Sequence, residues 1–204
     1  METFYDESNG DSWTNKQWNI TDGSSDVCDS KSYPGVTCND DNKIIEIDLH
    51  DCGLAGKVTP WIYALPELTT LTLGDNDIDD AGWDKIADML SVEDLGFEVG
   101  TKLKSLVLTG NKISSMEGID ALADSLKELH LTYNRITGPM PDELFELTNL
   151  RVLSISENAI TGTIDKRLGT LHHLREFYCY GNMVEGQIPE ELGQLKQLQI
   201  LTVS

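Results

Sequence analysis

The residues of this chain whose types suit reactive or metal chemistry are four cysteines, four histidines and a carboxylate-rich run from Asp75 to Asp80. The run Asp75-Asn76-Asp77-Ile78-Asp79-Asp80 offers the oxygen donors of a calcium loop. An EF-hand needs Gly at its sixth place and Glu at its twelfth, and here those places hold Asp80 and Ile86. His172 and His173 are adjacent, with no cysteine close by to complete a metal set. No Ser/His/Asp set, phosphate loop or paired-carboxylate site can be fixed from spacing. The expectation is no metal, no cofactor and no enzymatic activity. The chemistry left is non-covalent recognition, for which tyrosine is well suited, being a rigid ring with a polar tip. Tyr133, Tyr178 and Tyr180 are the candidates, with His130, Ser154 and Glu157 spaced among them.

These residues sit inside a repeat, and the repeat must position them. Leu126-x-x-Leu129-x-Leu131-x-x-Asn134-x-Ile136 recurs 24 residues later from Leu150 to Ile160. It recurs again from Leu174 to Val184, and a fourth copy begins at Leu198. Earlier copies start at Ile44, Leu68 and Leu103, the last of these 35 residues after its predecessor. A fixed period of this length is the signature of a solenoid. The alternation Leu129-x-Leu131 predicts a short strand with alternate side chains turned inward. Asn134 falls at a bend, where a buried amide can bond backbone groups of its own coil and of the next. The stretches Thr137-Gly138-Pro139, Thr161-Gly162-Thr163 and Glu185-Gly186-Gln187 predict tight, non-strand returns. In the longer coil Trp83, Ile86, Ala87 and Leu90 have the spacing of an amphipathic helix, and Met116 to Ala123 is expected to be partly helical. One coil cannot bury enough apolar area to stand alone, so stability belongs to the row.

The L-x-x-L-x-L-x-x-N-x-L frame resembles the leucine-rich repeat, and the Gly-x-Ile-Pro returns resemble its plant-type form. The segment around Asp80-Ala81-Gly82 and Ile86-Ala87 is similar to ribonuclease-inhibitor-type repeats. The resemblance implies an α/β solenoid: a right-handed superhelix with short parallel strands on the concave face and helical or 3-10 returns on the convex face. Residues 1–43 are expected to form an N-terminal cap and 44–204 the repeats, with a helical insertion at 79–102 and no C-terminal cap.

On that fold the x residues flanking the inward leucines face the concave sheet. The middle column reads Asp48, Thr72, Val107, His130, Ser154, Tyr178, Thr202. The next reads His50, Gly74, Thr109, Thr132, Ser156, Tyr180, Ser204, and the one after it Asp51, Asp75, Gly110, Tyr133, Glu157, Gly181. With strands ~4.8 Å apart, His130, Tyr133, Ser154, Glu157, Tyr178 and Tyr180 form one patch, edged by Arg151, Arg175 and Glu176.

Ahead of the repeats, Phe4-Tyr5, Asn9-Gly10-Asp11-x-Trp13, Trp18, Asp26-x-Cys28 and Gly35-Val36-Thr37-Cys38 occur in the order of plant-type leucine-rich repeat caps. Such caps belong to receptor-kinase ectodomains, receptor-like proteins and polygalacturonase inhibitors, and similar ones occur in algal proteins. The resemblance implies a Cys28–Cys38 disulfide, hence an oxidising, secretory compartment. Family caps usually place Trp two residues before the Gly of G-V-T-C, where this chain has Tyr33. Asn19-Ile20-Thr21 is a possible N-glycosylation acceptor. Cys52 and Cys179, at a bend and a strand position of distant coils, read as buried free thiols.

Lys+Arg 15 against Asp+Glu 35 gives a net charge of −20. That excess argues against nucleic acid and anionic membrane as partners. No apolar run is long enough to span a bilayer. Met1-Glu2-Thr3 is no secretory signal, and the last copy stops at Ser204 before its expected Asn, which reads as a fragment of a longer protein. The expected role is a ligand-recognition module that binds a protein or peptide on the concave face of a receptor-like or inhibitor-like extracellular protein. The alternatives are a scaffold subunit of a larger assembly and a carbohydrate-binding module using Tyr178 and Tyr180.

Overall fold

A computed structural model describes residues 12–15, 26–86 and 101–203. In chain order its strands are β1 (Val36–Cys38), β2 (Ile44–Asp48), β3 (Ala55–Lys57), β4 (Thr70–Thr72), β5 (Asp77–Asp80), β6 (Ser105–Val107) and β7 (Glu128–His130). There follow β8 (Thr137–Gly138), β9 (Val152–Ser154), β10 (Ala159–Thr163), β11 (Glu176–Tyr178), β12 (Met183–Glu185) and β13 (Ile200–Thr202). One sheet runs β1-β2-β4-β6-β7-β9-β11-β13. From β2 onward it is parallel, and the central inward residues Ile47, Leu71, Leu106, Leu129, Leu153, Phe177 and Leu201 pair in register. The seven repeat starts read from the leucines are therefore seven adjacent rungs. The longer coil before Leu103 leaves the register of β4 and β6 intact.

Behind each strand the leucines of consecutive coils merge into one core. Leu49, Leu73, Leu108, Leu131 and Ile155 are fully buried in it. The repeat asparagines close the bend beside that core. Asn158 donates from Nδ2 to the carbonyls of Ile155, Ser156 and Leu131, and its Oδ1 accepts the Ile136 N–H at 3.0 Å. Asn76, Asn111, Asn134 and Asn182 repeat the pattern. The sequence predicts a bond to the following coil, but each amide instead reaches back to the preceding one. Its position after the strand places the carboxamide over the turn already laid down.

The returns depart from expectation in one respect. The half-coils after Cys52, Asn76, Asn134, Asn158 and Asn182 are partly strand, whereas the one after Asn111 is not: β8, β10 and β12 form a three-stranded parallel sheet, and β3 pairs with β5. The Asn-x-Ile segment leaves the bend extended, so neighbouring coils pair a second time before glycine turns the chain, as Gly162 does at φ 80°. The rest of each return is 3-10 helix: Pro60–Ala64, Trp83–Lys85, Ile119–Leu122, Asp142–Glu146, Lys166–Thr170 and Glu190–Gln194. In the long coil Trp83 and Ile86 are buried as the helical spacing requires, while Ala87 and Leu90 lie outside the described residues. Arg167 joins two returns. It contacts Asp142 at 2.7 Å and Asp165 at 2.9 Å, and its guanidinium lies 4.5 Å over the Phe145 ring. The paired arginine holds the Asp165 carboxyl below its usual pKa.

At the first edge, β1 pairs antiparallel with β2, with a register break after Thr37. Cys28 and Cys38 are bridged, with Cα atoms 5.7 Å apart. Tyr33, in the place where related caps carry Trp, is buried with Trp13 against the first coil. At the other edge Ile200, Ile188 and Met183 are exposed apolar residues. Among the described residues, no helix is long and apolar enough to cross a membrane.

Candidate recognition face

Alternation along each strand turns every second side chain away from the leucine core. The register places Asp48, Thr72, Val107, His130, Ser154, Tyr178 and Thr202 in one row across the sheet. His130, Ser154 and Tyr178 are thus neighbours on β7, β9 and β11, as the column reading requires. Polar contacts hold them: the Ser154 and Thr132 hydroxyls lie 2.6 Å apart, and Tyr178 donates to Glu176 Oε2 at 2.8 Å. Acceptance by that carboxylate raises the Tyr178 phenol above its ordinary pKa. Burial lowers the His130 imidazole below 6.5, with Glu128 and Glu176 opposing the shift. The middle of the face is therefore a set of oriented hydroxyl donors and acceptors with the Glu176 carboxylate among them. Cys179 lies beneath it, a free buried thiol whose pKa burial pushes up to about 11.

Tyr133 and Glu157 occupy a second row with a backbone signature of its own. Asp51, Asp75, Gly110, Tyr133, Glu157 and Gly181 all have positive φ, between 50° and 70°. Each stands immediately before the residue at the repeat's Asn position, and the left-handed turn delivers that residue to the bend. Their N–H groups continue the ladder to the next coil, as from Tyr133 to Ser156 O and from Glu157 to Tyr180 O. For an L-residue with a side chain this conformation costs about 1–2 kcal/mol. Only two of the six are glycine. The other four hold their side chains out along the rim, and Tyr133 is 58% exposed there. Tyr180, 36% exposed, stands between this row and Tyr178.

All six candidate residues thus come together on the strands and rims of three coils. Arg151 and Arg175 stand just ahead of β9 and β11, both exposed. Two features escaped sequence reading. One is the left-handed row, whose only trace in the residues is a Gly before Asn111 and Asn182. The other is Ser156, which is fully buried although its column faces outward, with no partner for its hydroxyl among the described residues. The acidic run disperses: Asp75 faces His50 at 3.6 Å, Asp77 pairs with Lys112 at 2.7 Å and Asp80 with Lys57 at 2.9 Å. His172 and His173 are exposed on a return, and Asn19 lies outside the described residues.

Two family profiles described as leucine-rich repeat match the chain, one over residues 124–184 and the other over 65–87 and 101–123. Together they cover about half of it. A protein phosphatase 1 regulatory inhibitor subunit homologue from Arabidopsis thaliana is 32% identical over 126 residues, 54% of this chain and 37% of that protein. A probable leucine-rich repeat receptor-like protein kinase from the same plant is 43% identical over 53 residues, 26% of this chain and 6% of that protein. Among solved structures, the Arabidopsis receptor kinase HAESA, in complex with the peptide hormone IDA and the co-receptor SERK1, superposes with a TM-score of 0.72 at 25% identity. That match covers 89% of this chain and 29% of the receptor chain. The chain therefore spans well under half the length of each of these relatives. In-register leucine rungs, the asparagine ladder and these matches agree: the chain belongs to the leucine-rich repeat proteins, with the fold of plant receptor-kinase ectodomains.

Proposed function

We propose that the concave face is a recognition surface for a protein or an extended peptide, and that the chain serves outside the cell as part of a receptor-like or inhibitor-like protein. The observation that carries this reading is the gathering of His130, Tyr133, Ser154, Glu157, Tyr178 and Tyr180 on adjacent rungs of a rigid sheet. Oriented tyrosines lose little conformational entropy on binding, so such a face is fitted to hold a partner. HAESA is named with a peptide hormone and a co-receptor, and the phosphatase relative is named a regulatory subunit, which supports a binding role. The Cys28–Cys38 disulfide supports an oxidising compartment. In this reading residues 1–43 cap the row that 44–204 builds, and Asn19 carries a glycan.

The test is capture of peptides and proteins from a secreted fraction by the immobilised chain and by its Tyr178→Ala/Tyr180→Ala variant. Loss of capture with an unchanged circular dichroism spectrum supports the face as the site. Equal capture by both proteins counts against it. A glycan array probed with the same pair separates protein recognition from carbohydrate recognition.

A further inference from the structure

The left-handed row gives the proposed ligand a charge and a spacing. At Gly181 a methyl group would meet the Glu157 carboxyl carbon at 2.7 Å and its two oxygens at 2.9 and 3.0 Å. The carboxylate therefore lies across the notch left by the missing side chain. Among the described residues no cation pairs with it. Tyr133 stands one rung before it and Tyr180 one residue before the notch, both exposed. Beside them is Ser156, whose buried hydroxyl has no partner among the described residues and whose column faces the same side. Three rungs away the arrangement recurs, with the Asp75 carboxylate folded over Gly110. There the neighbour is His50, with Nδ1 at 3.6 Å, an exposed and loose contact that a stronger cation can displace.

We propose that this row binds two cationic side chains of an extended peptide, one on Glu157 between Tyr133 and Tyr180 and one on Asp75. Three rungs at ~4.8 Å separate the carboxylates by about 14 Å. An extended chain rises about 3.4 Å per residue, so residues i and i+4 span that gap with both side chains on one face. Arginine fits better than lysine, because its planar guanidinium meets a carboxylate bidentately and stacks on tyrosine. The charge of −20 draws such a ligand in. This inference rests on the peptide-recognition reading and narrows it to basic sequences.

The experiment is fluorescence anisotropy on the whole chain with end-blocked Gly/Ser peptides carrying two arginines, spaced from i,i+2 to i,i+6. Tightest binding is expected at i,i+4. Glu157→Gln should weaken it about ten-fold, and Glu185→Gln, an exposed carboxylate on β12, should leave it unchanged. Affinity that ignores spacing, equal effects of the two variants, or no binding by any of these peptides overturns the proposal. The capture assay with the tyrosine variant reads the broader reading separately, so a face that still captures partners without charge selection sinks only this inference.

Discussion

Asn76, Asn111, Asn134, Asn158 and Asn182 each follow directly on Asp75, Gly110, Tyr133, Glu157 and Gly181, yet the two rows obey opposite rules. The asparagine row is chemically uniform because each amide completes backbone hydrogen bonds in two coils. The row before it is uniform only in backbone: φ is positive at every rung while the side chain changes from acid to glycine to aromatic. A left-handed residue carrying a side chain is strained, so nothing in the fold favours tyrosine or glutamate there over glycine. Side chains that persist against that cost are candidates for function, and this places Tyr133 and Glu157 apart from the leucines around them.

The strongest test of this contrast is Asn158→Ala against Glu157→Ala. The first leaves the Ile136 N–H without its partner and takes one of two amides from the Leu131 carbonyl, which Asn134 still reaches, and should cost about 2 kcal/mol. The second should stay within about 0.5 kcal/mol. Urea denaturation midpoints compare them, and equal shifts would break the distinction. Next, replacing both Cys28 and Cys38 by serine should cost about 2–3 kcal/mol. Hydrogen exchange should show faster opening of β1 and β2 with β9 unchanged, since each coil leans only on its neighbours. A smaller effect separates two glycines of similar φ. Gly181→Ala should destabilise more than Gly138→Ala, about 1–2 kcal/mol for backbone strain in each plus the displaced Glu157 carboxylate in the first. Nothing lies within 4 Å of a methyl at Gly138. Adding Glu157→Gly to the Gly181→Ala variant should remove the excess.

The smallest expected effect is the pH response of His130. Its folded pKa lies below 6.5 through burial, so the unfolded chain takes up the proton first as pH falls. Stability should be level above 6.5 and decline below it toward the folded value, and His130→Gln should flatten that decline in thermal melts.

Most of the fold was legible because it depends on period. Leu106, Leu129, Leu153, Phe177 and Leu201 pair on successive rungs because side-chain direction on a strand follows from spacing alone. The second sheets, β8-β10-β12 and β3-β5, were not legible. Thr137-Gly138 and Thr161-Gly162-Thr163 read as returns, since glycine and proline mask a pairing that depends on the neighbouring coil. The candidate site divides the same way. The row of His130, Ser154 and Tyr178 follows from register, whereas the carboxylate folded over Gly181 depends on a conformation that no spacing encodes.

β1 runs against every other strand of its sheet, and its ladder slips after Thr37. A parallel strand at that edge would present the same unpaired groups as every rung behind it and invite another molecule to add itself in register. The reversed, slipped strand offers a different pattern. A further parallel rung at the β1 end would meet a strand of opposite direction and shifted register, so that edge does not repeat the pattern each rung behind it presents.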